Sequence, residues 1–405
     1  MGIETFPAPV NIAYLDYAST SPMRPESIEV LAGCISDQEL FGNPSGSHSI
    51  SRRAKYALEE AREEMAYLLG ARASEVVFTS GGTESANMAI RGTLAAVGGT
   101  AVCGATEHHA VLRSCEHSGG RVARVDSQAR VGTDCLSEAL DQDVSIVSVM
   151  LANNETGVTS DIDSLASCVD VVAPGAVFHT DAVAAFSCLD VSSLARRAKL
   201  ISLSAHKFGG PKGVGILVAR SGTQMESITM GGSQEFGLRS GTQNVPAILA
   251  AVAAAKATVQ AREEESVRIG GLRDRLLDGI LSEIPTASET VSRELTISSI
   301  AHFCFPGVEN EELLIALDSK GVCASAGSAC ASGAIEPSHV LLAMGLTPTQ
   351  ARSAIRFSLG WSTTRTEIDH AIASTVQAVA ELGGGNTANE MAVEVSAAHG
   401  GGSPA

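Results

Sequence analysis

Several segments of this chain carry side chains whose types and positions could build one reactive site. Lys207 follows the apolar run Leu200–Ser204 and precedes Phe208-Gly209-Gly210. A lysine entering a partly desolvated crevice has its pKa lowered, which makes the amine nucleophilic and able to form a Schiff base with an aldehyde cofactor. Asp181 follows AVFHT, where a carboxylate could keep a cofactor's ring nitrogen protonated. His108, after AVCG, could stack on such a ring and relay protons. Ser80-Gly81-Gly82-Thr83 turns into a helical pattern, where free N–H groups and the helix dipole favour a phosphate. Cys330 lies in the small-residue stretch ASAGSACASG (324–333), which suits an exposed thiol whose thiolate would react. Arg356, in AIRFSLG, suits a bidentate clamp on a carboxylate. Each has a plainer reading when it stands alone. Lys207 could be a solvated lysine, Asp181 a helix cap, His108 a structural histidine, Gly82-Thr83 an ordinary N-terminus, Cys330 a buried thiol and Arg356 a structural ion pair. Their order along successive apolar runs favours a shared crevice, and pyridoxal phosphate is the cofactor such a set would suit.

The elements that must position these groups are legible as period and punctuation. Apolar runs at Glu75–Thr79, Ala101–Gly104, Val144–Met150, Ala176–His179, Leu200–Ser204 and Val214–Ala219 read as strands. Helical patterns fall between or around them at Ser51–Leu69, Glu84–Ala96 and Ala247–Ala261. Continuously apolar strands separated by helices predict a mostly parallel sheet covered on both faces, an α/β architecture. Every run but the last ends in a polar cluster, and in open α/β sheets ligands bind beyond the carboxyl ends of the strands. The segment FGGPKGVG (208–215) lacks the Gly-Lys-Ser/Thr of a nucleotide loop and reads as a tight turn between strands. Beyond about residue 265 the pattern becomes α+β: a charged helix (263–283), a strand at 301–305, a helix at 309–320, a strand at 354–359 and a last helix at 366–382. This divides the chain into a larger unit (13–265) and a smaller one (266–382). Residues 1–12 form an extended lead-in packing near the smaller unit, and the Gly-, Ala- and Ser-rich 383–405 a disordered tail.

Composition narrows the function classes. Of 405 residues 44% are hydrophobic, enough for a sizeable core, and the formal net charge of −17 argues against a nucleic-acid binder. No apolar run reaches the roughly 18 residues of a membrane helix. The first residues show no secretory pattern, so a cytoplasmic location is expected. The nine cysteines are scattered and include no Cys-x-x-Cys pair, so neither a disulfide framework nor a resident metal is expected.

The blocks YLDYAST, FGNPSGSH, VVFTSGGTES, TEHHAVL, NNETGV, HTDA, SAHKFGGPKGVG, LRSGTQN, SAGSACASG, EPSHVL and IRFSLG run in order from about Tyr14 to Leu382. Together they resemble the cysteine desulfurases of the NifS/IscS type, in the class V aminotransferase family. The resemblance implies fold type I of the pyridoxal-phosphate enzymes and removal of sulfur from L-cysteine, giving L-alanine and a persulfide on Cys330. It implies that Lys207 is the Schiff-base lysine, that His108 stacks on the ring and that Asp181 pairs with its nitrogen. It further implies that Gly82, Thr83, Ser204 and His206 hold the phosphate, with Thr242 reaching it from the other subunit of a homodimer. Asn154 and Arg356, with Asn43, would orient the substrate carboxylate. The spacing from Cys330 to Glu336-Pro337-Ser338 is similar to that of the longer-loop group, which delivers sulfur to acceptors such as iron–sulfur scaffold proteins. Thio-cofactor synthesis and tRNA thiolation are other destinations, and Cys330 could transiently meet an iron–sulfur cluster. Two positions depart from the family pattern. The opening block reads Ala-Ser-Thr-Ser-Pro, and Ala184 stands where a glutamine usually contacts the cofactor's phenolate oxygen. A selenocysteine lyase or another class V enzyme is the alternative within the fold, and a non-catalytic sulfur-carrier scaffold the alternative outside catalysis.

Overall fold

A computed structural model describes residues 12–37, 40–327 and 337–398, with side chains to residue 383. Cys330 lies outside the described residues. So do residues 1–11 of the lead-in and 399–405 of the tail.

The large unit is built on a seven-stranded sheet. In space its strands run Val76–Thr79, Gly215–Ala219, Leu200–Ser204, Val177–Asp181, Val144–Ser148, Thr100–Gly104 and Arg121–Ala123. Gly215–Ala219 is antiparallel to both neighbours, and the remaining pairs are parallel. The central strands are buried on both faces, as their mostly apolar sequences require. One face packs against a large core that includes Phe78, Val147, Phe178, Ile201 and Ile248, the other against a smaller one with Val77, Ile90, Val111 and Leu217. The reversed strand follows from FGGPKGVG, which turns the chain back directly after Ser204 instead of sending it through a crossover helix.

A second core gathers Leu15, Leu276, Ile280, Phe303, Leu313, Ile355 and Phe357 around a three-stranded antiparallel sheet, Ala354–Ser358, Ile300–Cys304 and Ser288–Glu289. Three features differ from the sequence reading. The helices expected at 247–261 and 263–283 are one 39-residue helix, Val245–Glu283, serving both cores. It starts at Asn244, whose side chain accepts from Ala247 N at 3.3 Å, and no proline or glycine falls between residues 247 and 269 to end it near residue 265. Ala13–Tyr14 pairs in parallel with Val322–Cys323, so the chain's beginning joins the second core instead of the first. The last helix continues over Arg365–Ala398 instead of stopping near residue 382. The Asn-Glu-Met-Ala-rich stretch beyond the three glycines resumes good helix formers.

Candidate active site

The parallel strands converge their carboxyl ends on a cavity of about 240 Å³. Its wall brings together Gly82, Thr83, His108, Asn154, Asp181, Ser204, His206, Lys207 and Arg356, nine residues singled out from sequence. Ala18, Ser19, Met150, Val183 and Ala184 complete it. Lys207 closes the short 3₁₀ turn Ala205–Lys207 after its strand, and its ammonium donates to the carbonyls of Ala18 and Ser19, the latter at 2.6 Å. The chain's opening segment therefore holds the amine, a role that the sequence reading missed.

Asp181 ends its strand in a buried position. Burial pushes its carboxyl up to about 6, opposed by a hydrogen bond from Val183 N (2.9 Å) and by the charge of Lys207. A carboxyl so placed gains from a cationic partner in the cavity. Glu107 is buried below the same strand ends; burial and the charge of Asp181 push its carboxyl well up, and one oxygen accepts from Met150 N at 2.5 Å. His108 is pushed down to about 4, first by burial and then by Lys207, His109 and His339. Its Nδ1 accepts from Ala110 N at 3.1 Å, capping the helix His109–His117, so the neutral ring carries its proton on Nε2. A proton relay through Nδ1 would have to exchange that cap.

At the opposite end the helix Gly82–Val97 points its N-terminus at the cavity wall. A Cβ on Gly82 would lie 2.9 Å from Val183 Cγ2 and 3.4 Å from Ser204 Cβ, so only glycine leaves this approach open. Burial, followed by Lys207 and Lys212, pushes His206 down to about 4, and its Nδ1 meets Thr20 Oγ1 at 3.1 Å.

Arg356 is 2% exposed. Its two terminal nitrogens reach Asp16 Oδ1 and the Asn154 carbonyl, both at 2.8 Å, while its Nε and the Asn154 Oδ1 have no partner among the described residues. The sequence reading allowed a structural ion pair at Arg356 but did not name Asp16 as its partner. Its only trace in the sequence is the aspartate of YLDYAST. Two buried polar atoms left open beside an ammonium, a raised carboxyl and a helix N-terminus form a donor set that fits pyridoxal phosphate with an amino-acid substrate.

Two expected residues lie elsewhere. Asn43 is exposed, accepts from Ser45 N at 3.0 Å and does not line the cavity; the Asx turn of Gly-Asn-Pro-Ser uses its side chain locally. Thr242 is exposed, past a turn in which Ser233, Glu235 and Phe236 hold φ of 58°, 48° and 60°. A buried pair, Arg62 with Glu235 at 2.6 and 2.8 Å, and the pair Arg239–Glu84 at 2.9 Å hold that strained turn in place.

The class-V aminotransferase family model matches residues 13–370. An IscS-like cysteine desulfurase of Mycobacterium tuberculosis is 40% identical over 384 residues, covering 91% of this chain and 96% of that protein. The cysteine desulfurase NifS of Azotobacter vinelandii is 38% identical over 377 residues, covering 91% and 93%. A solved NifS-like protein from Rickettsia africae superposes with a TM-score of 0.83 at 28% identity, over 91% of this chain and 99% of that one. SspA, solved in complex with cysteine, gives 0.73 at 29% identity over 85% and 98%. With its family model matched over most of its length and its strand ends gathered on one cavity, this chain belongs to the class-V aminotransferase family, alongside relatives of the NifS/IscS type.

Proposed function

We propose that this protein is a pyridoxal-phosphate-dependent cysteine desulfurase, which converts L-cysteine to L-alanine and leaves the sulfur as a persulfide on Cys330. The convergence of Lys207, Asp181, His108 and Arg356 on one cavity supports the reading, in a chain whose relatives carry that activity in their names. Bound there, pyridoxal phosphate would supply an electron sink conjugated to the substrate's α-carbon.

The chain's own residues do the rest. Lys207 would attach the cofactor through its amine, and Asp181 would hold a proton on the ring nitrogen. The N–H groups at Gly82 and Thr83, with Ser204 and His206, would receive the phosphate. His108 would lie against the ring and donate from Nε2. Asn154 and the open edge of Arg356 would orient the substrate carboxylate, with Asp16 holding the guanidinium plane. The Cys330 thiolate would attack the substrate sulfur: the S–S bond forms as the substrate's carbon–sulfur bond breaks, and the electron pair stays with carbon. Protonation of that carbon completes alanine. Cysteine and the Cys330 thiol thus become alanine and the Cys330 persulfide with no outside oxidant.

Thr242 lies outside its own chain's cavity, exposed beyond a turn held in a strained form, which favours delivery to the cavity of a second copy. The working form is then a homodimer. The persulfide passes to an acceptor protein such as an iron–sulfur scaffold, and the cell compartment is the cytoplasm. No helix among the described residues is long and apolar enough to cross a membrane.

The deciding experiment incubates purified protein with L-cysteine in the absence of reductant and locates persulfide by mass spectrometry. It should sit on Cys330. Cys330→Ser should keep the visible cofactor band and form no persulfide, and Lys207→Ala should lose or shift the band. A colourless protein that pyridoxal phosphate does not reconstitute would overturn the proposal.

A further inference from the structure

Glu155 is 0% exposed and has no task in the chemistry above. Its Oε2 accepts a hydrogen bond from Ser338 Oγ. From the other side Gly327 comes up to the same oxygen. A Cβ built on Gly327 would lie 3.0 Å from Glu155 Oε2 and 3.5 Å from Ser338 Cβ. Gly327 also holds φ +84°, so the backbone and the space both call for glycine. Residues 327 and 338 therefore meet over one buried carboxylate, and the stretch between them contains Cys330.

Both sides of this neck are tied back to the cavity. Ser325 Oγ donates to the Gly327 carbonyl at 3.0 Å, and Ser325 exchanges backbone hydrogen bonds with Arg356 at 3.1 and 2.7 Å. Past the neck, Ser338 Oγ accepts from Leu341 N at 3.3 Å, capping the helix His339–Ala343. The serine can do both because its proton goes to Glu155 while its lone pair takes the amide. His339 meets the Glu107 carbonyl at 2.9 Å, with its ring centroid 4.4 Å from that of His109. Glu155 itself is fixed by Asn153 Oδ1, which accepts from Glu155 N at 2.9 Å, and it directly follows Asn154, whose carbonyl holds Arg356. Its Oε1 has no partner among the described residues.

We infer that Glu155 is a positioning residue for sulfur removal: by bonding Ser338 and packing against Gly327 it holds together the two ends of the segment that carries Cys330, next to the residues that orient the substrate. Bringing chain ends together costs configurational entropy, and a buried charge-assisted hydrogen bond is strong enough to offset it. The inference rests on Cys330 being the sulfur acceptor.

The test compares Glu155→Ala, Glu155→Gln and Ser338→Ala, all loaded with cofactor. The visible band and the first spectral change on mixing with L-cysteine should match wild type. Single-turnover persulfide formation on Cys330, followed by mass spectrometry, should slow about tenfold in Glu155→Ala and Ser338→Ala, the scale of one lost charge-assisted hydrogen bond. Glu155→Gln, which keeps an oxygen for Ser338, should recover most of the rate. Iodoacetamide labelling of Cys330 without any cysteine should quicken in the same two slow variants; this arm reads the neck even in a protein that forms no persulfide. Wild-type labelling in both Glu155→Ala and Ser338→Ala overturns the inference. Loss of the cofactor band and of the first spectral change in both would also overturn it, by showing a general structural role.

Discussion

Replacing Asp181 by asparagine should move two properties in opposite directions. Without cofactor, burial raises this carboxyl from 3.8 to about 6. At 1.36 kcal/mol per pK unit, holding the charge costs the folded apoprotein about 3 kcal/mol once the group is ionised. The unfolded carboxyl ionises first, so between about pH 4 and pH 6 the folded state binds more protons than the unfolded one. Stability therefore falls as pH rises through that window and stays lower above it. Asparagine carries no charge and keeps an oxygen for Val183 N. Cofactor-free Asp181→Asn should then be more stable than cofactor-free wild type by up to about 3 kcal/mol near pH 8, with the gap closing toward pH 4. Cofactor affinity should fall, by roughly 10- to 100-fold, because a charge-assisted contact to the ring nitrogen becomes a neutral one. The assays are urea unfolding of the stripped proteins and absorbance titration with pyridoxal phosphate. An Asp181→Asn apoprotein no more stable than wild type near pH 8 would show that the site does not strain this carboxylate. Undiminished affinity would remove Asp181 from the cofactor.

Arg356→Lys should raise KM for L-cysteine by about tenfold or more with the visible band unchanged, because lysine cannot make the planar fork that Arg356 presents from Asp16 and Asn154. An unchanged KM would place the substrate carboxylate elsewhere. Diluting the protein below its dimerisation range should weaken cofactor retention, and Thr242→Ala should weaken it at any concentration; a monomer by light scattering that retains full activity refutes the second-copy role. Ala184 lines the cavity and offers no hydrogen-bond donor from its side chain. Ala184→Gln should shift the pH midpoint of the visible band downward, since a donor to the phenolate oxygen makes it a poorer acceptor for the neighbouring proton. A midpoint unchanged or raised shows that another group already supplies that donor.

The strand ends were legible in the sequence because parallel strands buried on both faces must be largely apolar. Their polar terminations at Gly82, His108, Asp181 and Lys207 therefore stand out against the runs before them. Nine of the expected site residues line the cavity, each within a few positions of a strand end or in an ordered block of the resemblance. What the sequence could not determine were contacts between distant segments. Nothing local indicates that the carbonyls of Ala18 and Ser19 hold Lys207, or that Asp16 pairs with Arg356, because these partners lie far apart in the chain. The unbroken helix Val245–Glu283 escaped for a different reason. Its buried face changes from one core to the other along its length, so a single amphipathic period cannot describe it. Asn43 shows the converse limit: residue type and motif suggested the cavity, while its side chain is used in a local Asx turn outside the cavity of its own chain. Side-chain chemistry and its order along the chain were properties of the sequence, whereas which groups are buried, paired and left open depended on packing between elements that only the tertiary structure brings together.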